Sequence, residues 1–368
     1  MITVLQLARS NVAPIWFTSV MGTGILAVTI AGSPIALPEQ AALATTLWLL
    51  ASSALAALVA LLVASLVDDP SRLFGTYLDP SAMQAWGAPP MACFTVAVGA
   101  LTIGRHIIAP ALAVHLAQGL FILAVIGAVG LAFLIPFLMF TRHQLASEAT
   151  SATWLLPIVP LIVASVPSAL LIPSWPSALQ SAMLALGYAM WGCGITLAAI
   201  VIVLHYARLV EYRVPDGALV TSVWLVVGPL GQSIAGLNAL DGVAPAVWPA
   251  PAPMLAGIGL AYGVAIWGFA AYWLVMALAL TLRTARSGLP FALGWWAFTF
   301  PVGVLTAGTY SLATLTGSAF FRAAGIVLLS LLTLAWVVVA IATARSAFAV
   351  AARAGAYRDD GSIVVYRP

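Results

Sequence analysis

The chain is 368 residues long, 63% hydrophobic and only 6% charged, with a formal net charge of +3. Soluble domains carry about 25% charged residues, so 13 basic and 10 acidic groups cannot solvate a water-soluble protein of this size. The composition excludes a cytosolic enzyme, a nucleic-acid-binding module and a disordered chain, and it assigns the protein to a lipid bilayer.

A spanning helix needs about 20 mostly apolar residues, and the apolar runs predict ten such helices. The first, 12–32, follows a lead, Met1 to Asn11, that has one Arg and no small-residue cleavage site, so it reads as a retained helix. It opens at Pro14 and contains Gly22 and Gly24. The second, 39–67, ends at Asp68-Asp69-Pro70. The third, 86–108, carries Pro89 and Pro90 and closes near Arg105 and His106, and the fourth is 110–141. The fifth, 149–171, carries Pro157, Pro160 and Pro167; the sixth, 176–208, runs to the turn at Arg213-Val214-Pro215-Asp216. The seventh, 217–239, contains Pro229; the eighth, 252–284, follows the Pro249 to Pro253 break. The ninth, 290–312, contains Pro301, and the tenth is 319–350. Residues 1–351 are therefore expected to form one transmembrane domain and 352–368 a polar cytoplasmic tail. Its Ser362 to Tyr366 run suits a strand or disorder equally.

All 13 basic residues are Arg, which with the high Ala content suggests a GC-rich bacterial genome and a bacterial plasma (inner) membrane. Eleven Arg fall on one side of the ten helices; only Arg105 and Arg322 fall on the other. That bias places both termini in the cytoplasm. Cys93 and Cys193 lie in apolar stretches and make neither a disulfide framework nor a metal site.

The odd-numbered helices are short and Pro-bearing, the even ones longer and nearly free of interior Pro. Trp16, Trp86, Trp154, Trp224 and Trp296 mark the odd helices at a period near 70 residues, the length of one helical hairpin. Five hairpins inserted alike imply a pseudo-fivefold axis along the membrane normal. Broken helices are tolerated at membrane depth only when buried or lining a wet cavity. The odd helices are therefore expected to surround a central pore, with the even ones against lipid.

Every acidic residue reads as lying in a connection or at a helix end, which disfavours a cation transporter. Breaks in the odd helices create helix N-termini facing the pore, and these favour anions. No two His share a helix at ligand spacing, so no haem, metal or other cofactor is expected. His106, His115, His143 and His205 read as interfacial or hydrogen-bonded. Gln118, on an even helix, reads as a helix–helix contact. Gln232, just beyond Gly228-Pro229, reads as pore-facing or as packing.

Four stretches at the broken helices resemble the tellurite-resistance/dicarboxylate transporter family. They are Trp16-Phe17 through Met21-Gly22-Thr23-Gly24, Trp154 to Pro160, Gly228 to Ser233, and Trp295 to Pro301. The resemblance covers about residues 11 to 350. It implies ten helices in five hairpins around a pore, usually in a homotrimer, with a small anion as substrate. C4-dicarboxylates such as malate are the first expectation, then sulfite, then monovalent anions; no enzyme constellation is visible.

The pore candidates are Phe17, Met21, Gly22, Thr95, Pro157, Val159, Pro160, Gly228, Gln232 and Thr299, with Arg105 steering anions at a mouth. The gate is expected at Phe300. Pro301 cannot donate a hydrogen bond and its ring clashes with the carbonyl of Ala297, so a kink there would turn Phe300 to the axis. The resemblance implies the same residue, since family members have an occluding Phe in the ninth helix. Ordinary packing, or Phe298 as the gate, is the alternative.

Overall fold

Proline decides where each inner helix begins. In the computed structural model, which describes residues 12–214 and 217–360 and side chains as far as 347, each odd segment opens as a 3-10 turn and then switches to α-helix. The 3-10 leads are Pro14–Trp16, Met83–Gly87, Ala152–Leu155, Gly217–Val226 and Leu293–Phe298. The α-helices that follow are α1 (Phe17–Ala31), α3 (Ala88–Thr102), α5 (Val159–Ser174, irregular), α7 (Val227–Val247) and α9 (Phe300–Thr316). The switch recurs about every 70 residues. Pro89, Pro160 and Pro301 fall within the first two residues of their α-helices, where a missing N–H costs little. Each of the five repeating Trp lies in a 3-10 lead.

The intervening helices are long: α2 (Gln40–Asp68), α4 (Pro110–Arg142), α6 (Ser177–Tyr212), α8 (Ala252–Ala285) and α10 (Ala319–Asp360). Among the described residues the fold is all-helical, with no strand. Nine segments of the described residues are long and apolar enough to span a bilayer, and α5 is a shorter apolar helix in the place of the expected fifth span. This is an integral membrane helical fold.

The inner segments pack in a cycle. α1 touches α3, α3 touches α5, α5 touches α7, α7 touches α9, and α9 returns to α1. Each even helix lies outside, against the odd segment before it and the one after it, with α10 reaching α1. In the most apolar 18-residue stretch of each long inner segment at least 67% of residues are buried, against 28% or less in that of each outer helix. The outer helices present Phe133, Phe140, Val203, Val275 and Val327 outwards, as lipid-facing surfaces do.

Glycine permits the ring to close so tightly. A Cβ on Gly24 would strike Thr95 (α1 on α3), and one on Gly87 would enter the Leu156 carbonyl (third segment on fifth). Gly236 abuts Ser165 (α7 on α5), Gly231 the backbone of Leu305 (α7 on α9), and Gly303 abuts Ile25 (α9 on α1). Small residues let helices approach closely in membranes, where packing drives association. Outer-helix Gly119, Gly130, Gly192, Gly257 and Gly268 face open space instead.

Several expectations are corrected. The kink at Pro301 is a helix start, because a 3-10 lead precedes it and α9 begins at Phe300. α7 runs to Val247, beyond the expected 239, which puts Asp241 inside a helix. It is buried, accepts a 2.6 Å hydrogen bond from Tyr188 Oη, and leaves Oδ2 without a partner facing Gly259. The reading that every acidic residue lies in a connection or at a helix end therefore fails at Asp241. α10 continues through Asp360, past the boundary expected at 351. The Met1 to Asn11 lead, Pro215-Asp216 and the Ser362 to Tyr366 run lie outside the described residues.

Candidate functional site

Two cavities lie inside the ring, and inner segments alone line them. The proximal one, at the 3-10 leads, has a volume of about 90 Å³ and is bordered by Thr18, Met21, Met91, Val159, Gly228 and Trp296 among others. The distal one, about 390 Å³, is bordered by Ile25, Thr95, Val163, Gln232, Asn238 and Ser311 among others. Among the described residues, no ionisable side chain lines either cavity.

Phe300 is, among the described residues, the one that borders both. Each other inner segment passes from one cavity to the other within about a turn: Met21 to Ile25, Met91 to Phe94, Val159 to Val163, and Gly228 to Gln232. Four segments thus cross at one level, and the Phe300 ring stands there, 5% exposed.

Of the sequence candidates, Met21, Val159 and Gly228 border the proximal cavity, Thr95 and Gln232 the distal one, and Phe300 both. Phe17, Gly22, Pro157, Pro160 and Thr299 are buried but border neither cavity. Thr299 donates its hydroxyl to Trp296 O at 2.7 Å, and Gly22 packs against both. Arg105 is exposed just beyond the end of α3, 3.4 Å from His106 Nε2, and lines neither cavity. Phe298 packs edge-on against Trp224, ring centroids 5.1 Å apart.

The 3-10 leads also use N–H groups that a clean helix start would leave free. Thr299 N–H bonds Trp296 O at 3.1 Å, Ile158 N–H bonds Leu155 O at 3.0 Å, and Leu161 N–H bonds Ile158 O at 3.1 Å. The helix dipoles remain, but fewer backbone donors are open to an anion than the broken helices alone suggest. Side chains must therefore supply more of the recognition.

Sequence reasoning assigns no pore role to three features here. Trp296 is a repeat marker in the sequence; it borders the proximal cavity, and its buried Nε1–H has no acceptor among the described residues. Asn238 Nδ2 donates to Ser311 Oγ at 2.7 Å, a bond between α7 and α9 on the distal wall. Thr153 and Ser222 also border the proximal cavity; nothing in their local pattern singles them out. Gln118, in contrast, bonds Ser174 Oγ at 3.1 Å from an outer helix, as the helix-contact reading expects.

Residues 11–344 match the voltage-dependent anion channel family. The chain belongs to that family. It is similar to sulfite efflux pumps of Trichophyton rubrum and Arthroderma benhamiae, each 30% identical over 341 residues, 90% of this chain and 90% of theirs. It also resembles a malic acid transport protein of Schizosaccharomyces pombe, 24% identical over 212 residues, 55% of this chain and 48% of that one. Membership makes the protein a multi-pass anion transporter or channel, of the kind the broken-helix motifs resemble.

Proposed function

We propose that the chain passes small oxoanions along the axis of its five-segment ring, through a pore closed at Phe300, with sulfite ahead of malate as substrate. The observation that carries this reading is the pair of cavities. Both are lined by all five inner segments, neither has an ionisable side chain on its lining among the described residues, and they share Phe300 as a common border. A hydrophobic constriction closes a pore by excluding water, because stripping water from an ion costs many kcal/mol.

Sulfite comes before malate for two reasons. The similarity to sulfite efflux pumps spans most of both chains, whereas that to the malic acid transport protein spans about half. A dianion also calls for fixed positive charge, which neither cavity lining offers among the described residues. Sulfite becomes a monoanion by taking up one proton near neutral pH, where malate keeps both charges. The C4-dicarboxylate reading stays second, resting on that partial similarity. A homotrimer in a bacterial plasma membrane, with both termini cytoplasmic and Arg105 steering anions at the distal mouth, completes the proposal. Flux of labelled sulfite and malate into proteoliposomes, with and without a pH gradient, tests it. Sulfite flux exceeding malate flux supports the reading; malate flux alone reverses the order, and no flux of either anion refutes it.

A further inference from the structure

The distal cavity gathers five polar side chains: Thr95, Gln232, Asn238, Ser311 and Thr314. Four of them hydrogen-bond within the protein. Thr95 Oγ1 donates to Met91 O at 2.8 Å, Asn238 Nδ2 to Ser311 Oγ at 2.7 Å, Ser311 Oγ to Gly308 O at 2.8 Å, and Thr314 Oγ1 to Tyr310 O at 3.0 Å. Gln232 is 95% buried by the complement of its 5% exposure, yet no protein group bonds its carboxamide among the described residues. It stands one helical turn beyond Gly228, which borders the proximal cavity, so it sits in the first turn past the Phe300 constriction.

Gln232 lines the distal cavity, so its carboxamide opens onto that space and its donor and acceptor can pair with what passes there. A ligand that pairs both groups replaces the water that would otherwise occupy them. The carboxamide carries N–H donors and a carbonyl acceptor in one plane. A halide uses only the donor. A doubly charged oxoanion also uses only donors, and it sets its charge against the carbonyl. An oxoanion that retains one proton uses both, accepting from Nε2–H and donating its own O–H to Oε1.

We propose that Gln232 determines selectivity in this pore, and that the species it selects is a singly protonated oxoanion, hydrogensulfite foremost. The inference rests on the anion-conduction reading above and specifies its substrate form. Hydrogen malate has the same chemistry and is a separate arm of the test. Ionisable groups near Gln232 lie outside the cavity lining. Asp241, further along α7, is bonded by Tyr188 of α6; Tyr262 of α8 donates to Ser233 Oγ. Tyr310 of α9 and Cys93 of α3 are buried, and Arg105 and His106 lie past the end of α3. A pH dependence of sulfite flux that chloride does not share thus reports the substrate's proton, which sulfite exchanges near neutral pH.

The full chain in proteoliposomes is assayed for sulfite, malate and chloride flux on the acid and alkaline sides of neutrality. Wild-type sulfite flux should follow the hydrogensulfite fraction and fall as pH rises, while chloride flux stays level. Gln232→Met, similar in shape but without either hydrogen-bonding group, should lower hydrogensulfite flux about tenfold, the loss of one charge-assisted hydrogen bond. Chloride flux should persist and shows that the variant is folded. Gln232→Asn, which retains both groups, should recover part of the sulfite preference. A matching effect on malate alone keeps the protonated-oxoanion class and replaces its leading member. Sulfite flux that rises with pH, or equal losses of sulfite and chloride in Gln232→Met, overturns the proposal. Chloride flux without any oxoanion flux in wild type also overturns it while leaving anion conduction intact, whereas no flux of any anion defeats conduction itself.

Discussion

Phe300 begins α9 and its ring borders both cavities, while Phe298, two residues earlier, lies in an aromatic cluster with Trp224 and Trp295. Truncating the first should open a wet path between the cavities; truncating the second should loosen packing beside it. We expect Phe300→Ala to raise anion flux about tenfold or more, since the dry barrier is removed, with folding retained. Unchanged flux in that variant, together with raised flux in Phe298→Ala, would move the gate to the neighbour. Pro301 marks a break in the sequence because proline's effects are local, but the kink expected there is a helix start, and the gate at Phe300 stays a proposal. Asp241 escapes a local reading because apolar periodicity fades before Val247, which puts the expected helix end too early and the carboxylate outside it. A hydrogen bond from Tyr188, 53 residues away in the chain, is invisible to any local pattern. The same limit applies to the cavity wall. Thr95 and Gln232 were candidates because they sit on broken helices, but which face of a helix lines a cavity depends on its neighbours.

At the scale of elements, the contrast between odd and even helices was readable and the 3-10 leads were not. Proline spacing shows that a regular helix is interrupted, but it does not distinguish a kink from a fresh start. The ten-residue lead Gly217–Val226 exceeds the usual length of 3-10 helices. It is backed by outer helix α8, where Trp224 Nε1 bonds Thr281 Oγ1 at 2.8 Å and Trp273 Nε1 bonds Val223 O at 2.9 Å. Glycine at each ring contact is likewise a tertiary fact, since Gly231 and Gly119 look alike in sequence but one meets backbone and the other open space. Gly231→Ala forces a Cβ into the backbone of Leu305. Backbone cannot rotate away as a flexible side chain can, so the overpacking should cost about 1–3 kcal/mol. Gly119→Ala should be neutral or slightly stabilising, as Ala replaces Gly in an exposed helix. Thermal unfolding of the detergent-solubilised protein should show a lowered midpoint for the first variant only; equal midpoints would mean that α7 and α9 do not pack as described.

For the whole molecule, the distribution of Arg gives both a field and an orientation. Arg105 and Arg322 lie at the distal end of the helices, where the connections between hairpin partners are short. Because Arg105 is exposed, it should attract anions without binding them directly: Arg105→Gln should lower flux about two- to fivefold at low salt, the scale of an exposed charge, and the loss should shrink as salt screens it. Complete loss at every ionic strength would make it a direct ligand. Seven other Arg predict an orientation. Arg72, Arg142, Arg208, Arg213, Arg283, Arg286 and Arg345 all lie at the proximal end, where the long connections and 3-10 leads gather. Positively charged connections stay in the cytoplasm because their translocation is disfavoured, so the proximal cavity should open inwards. Ser71 and Ala36 test this. Both are exposed, Ser71 in the short helix Pro70–Gly75 beside the α2–α3 connection and Ala36 in the α1–α2 turn at the opposite end. Ser71 donates a 2.6 Å hydrogen bond to Asp69, and together with the Arg72 backbone N–H it holds that carboxyl below its usual pKa range, so a cysteine there weakens a cap but touches no packed surface. With exposed Cys193 replaced by Ala, a membrane-impermeant thiol reagent added to intact cells should modify Ala36→Cys and spare Ser71→Cys until the membrane is opened. The reverse pattern would invert the protein in the bilayer, and labelling of both from outside would mean that α2 does not span it.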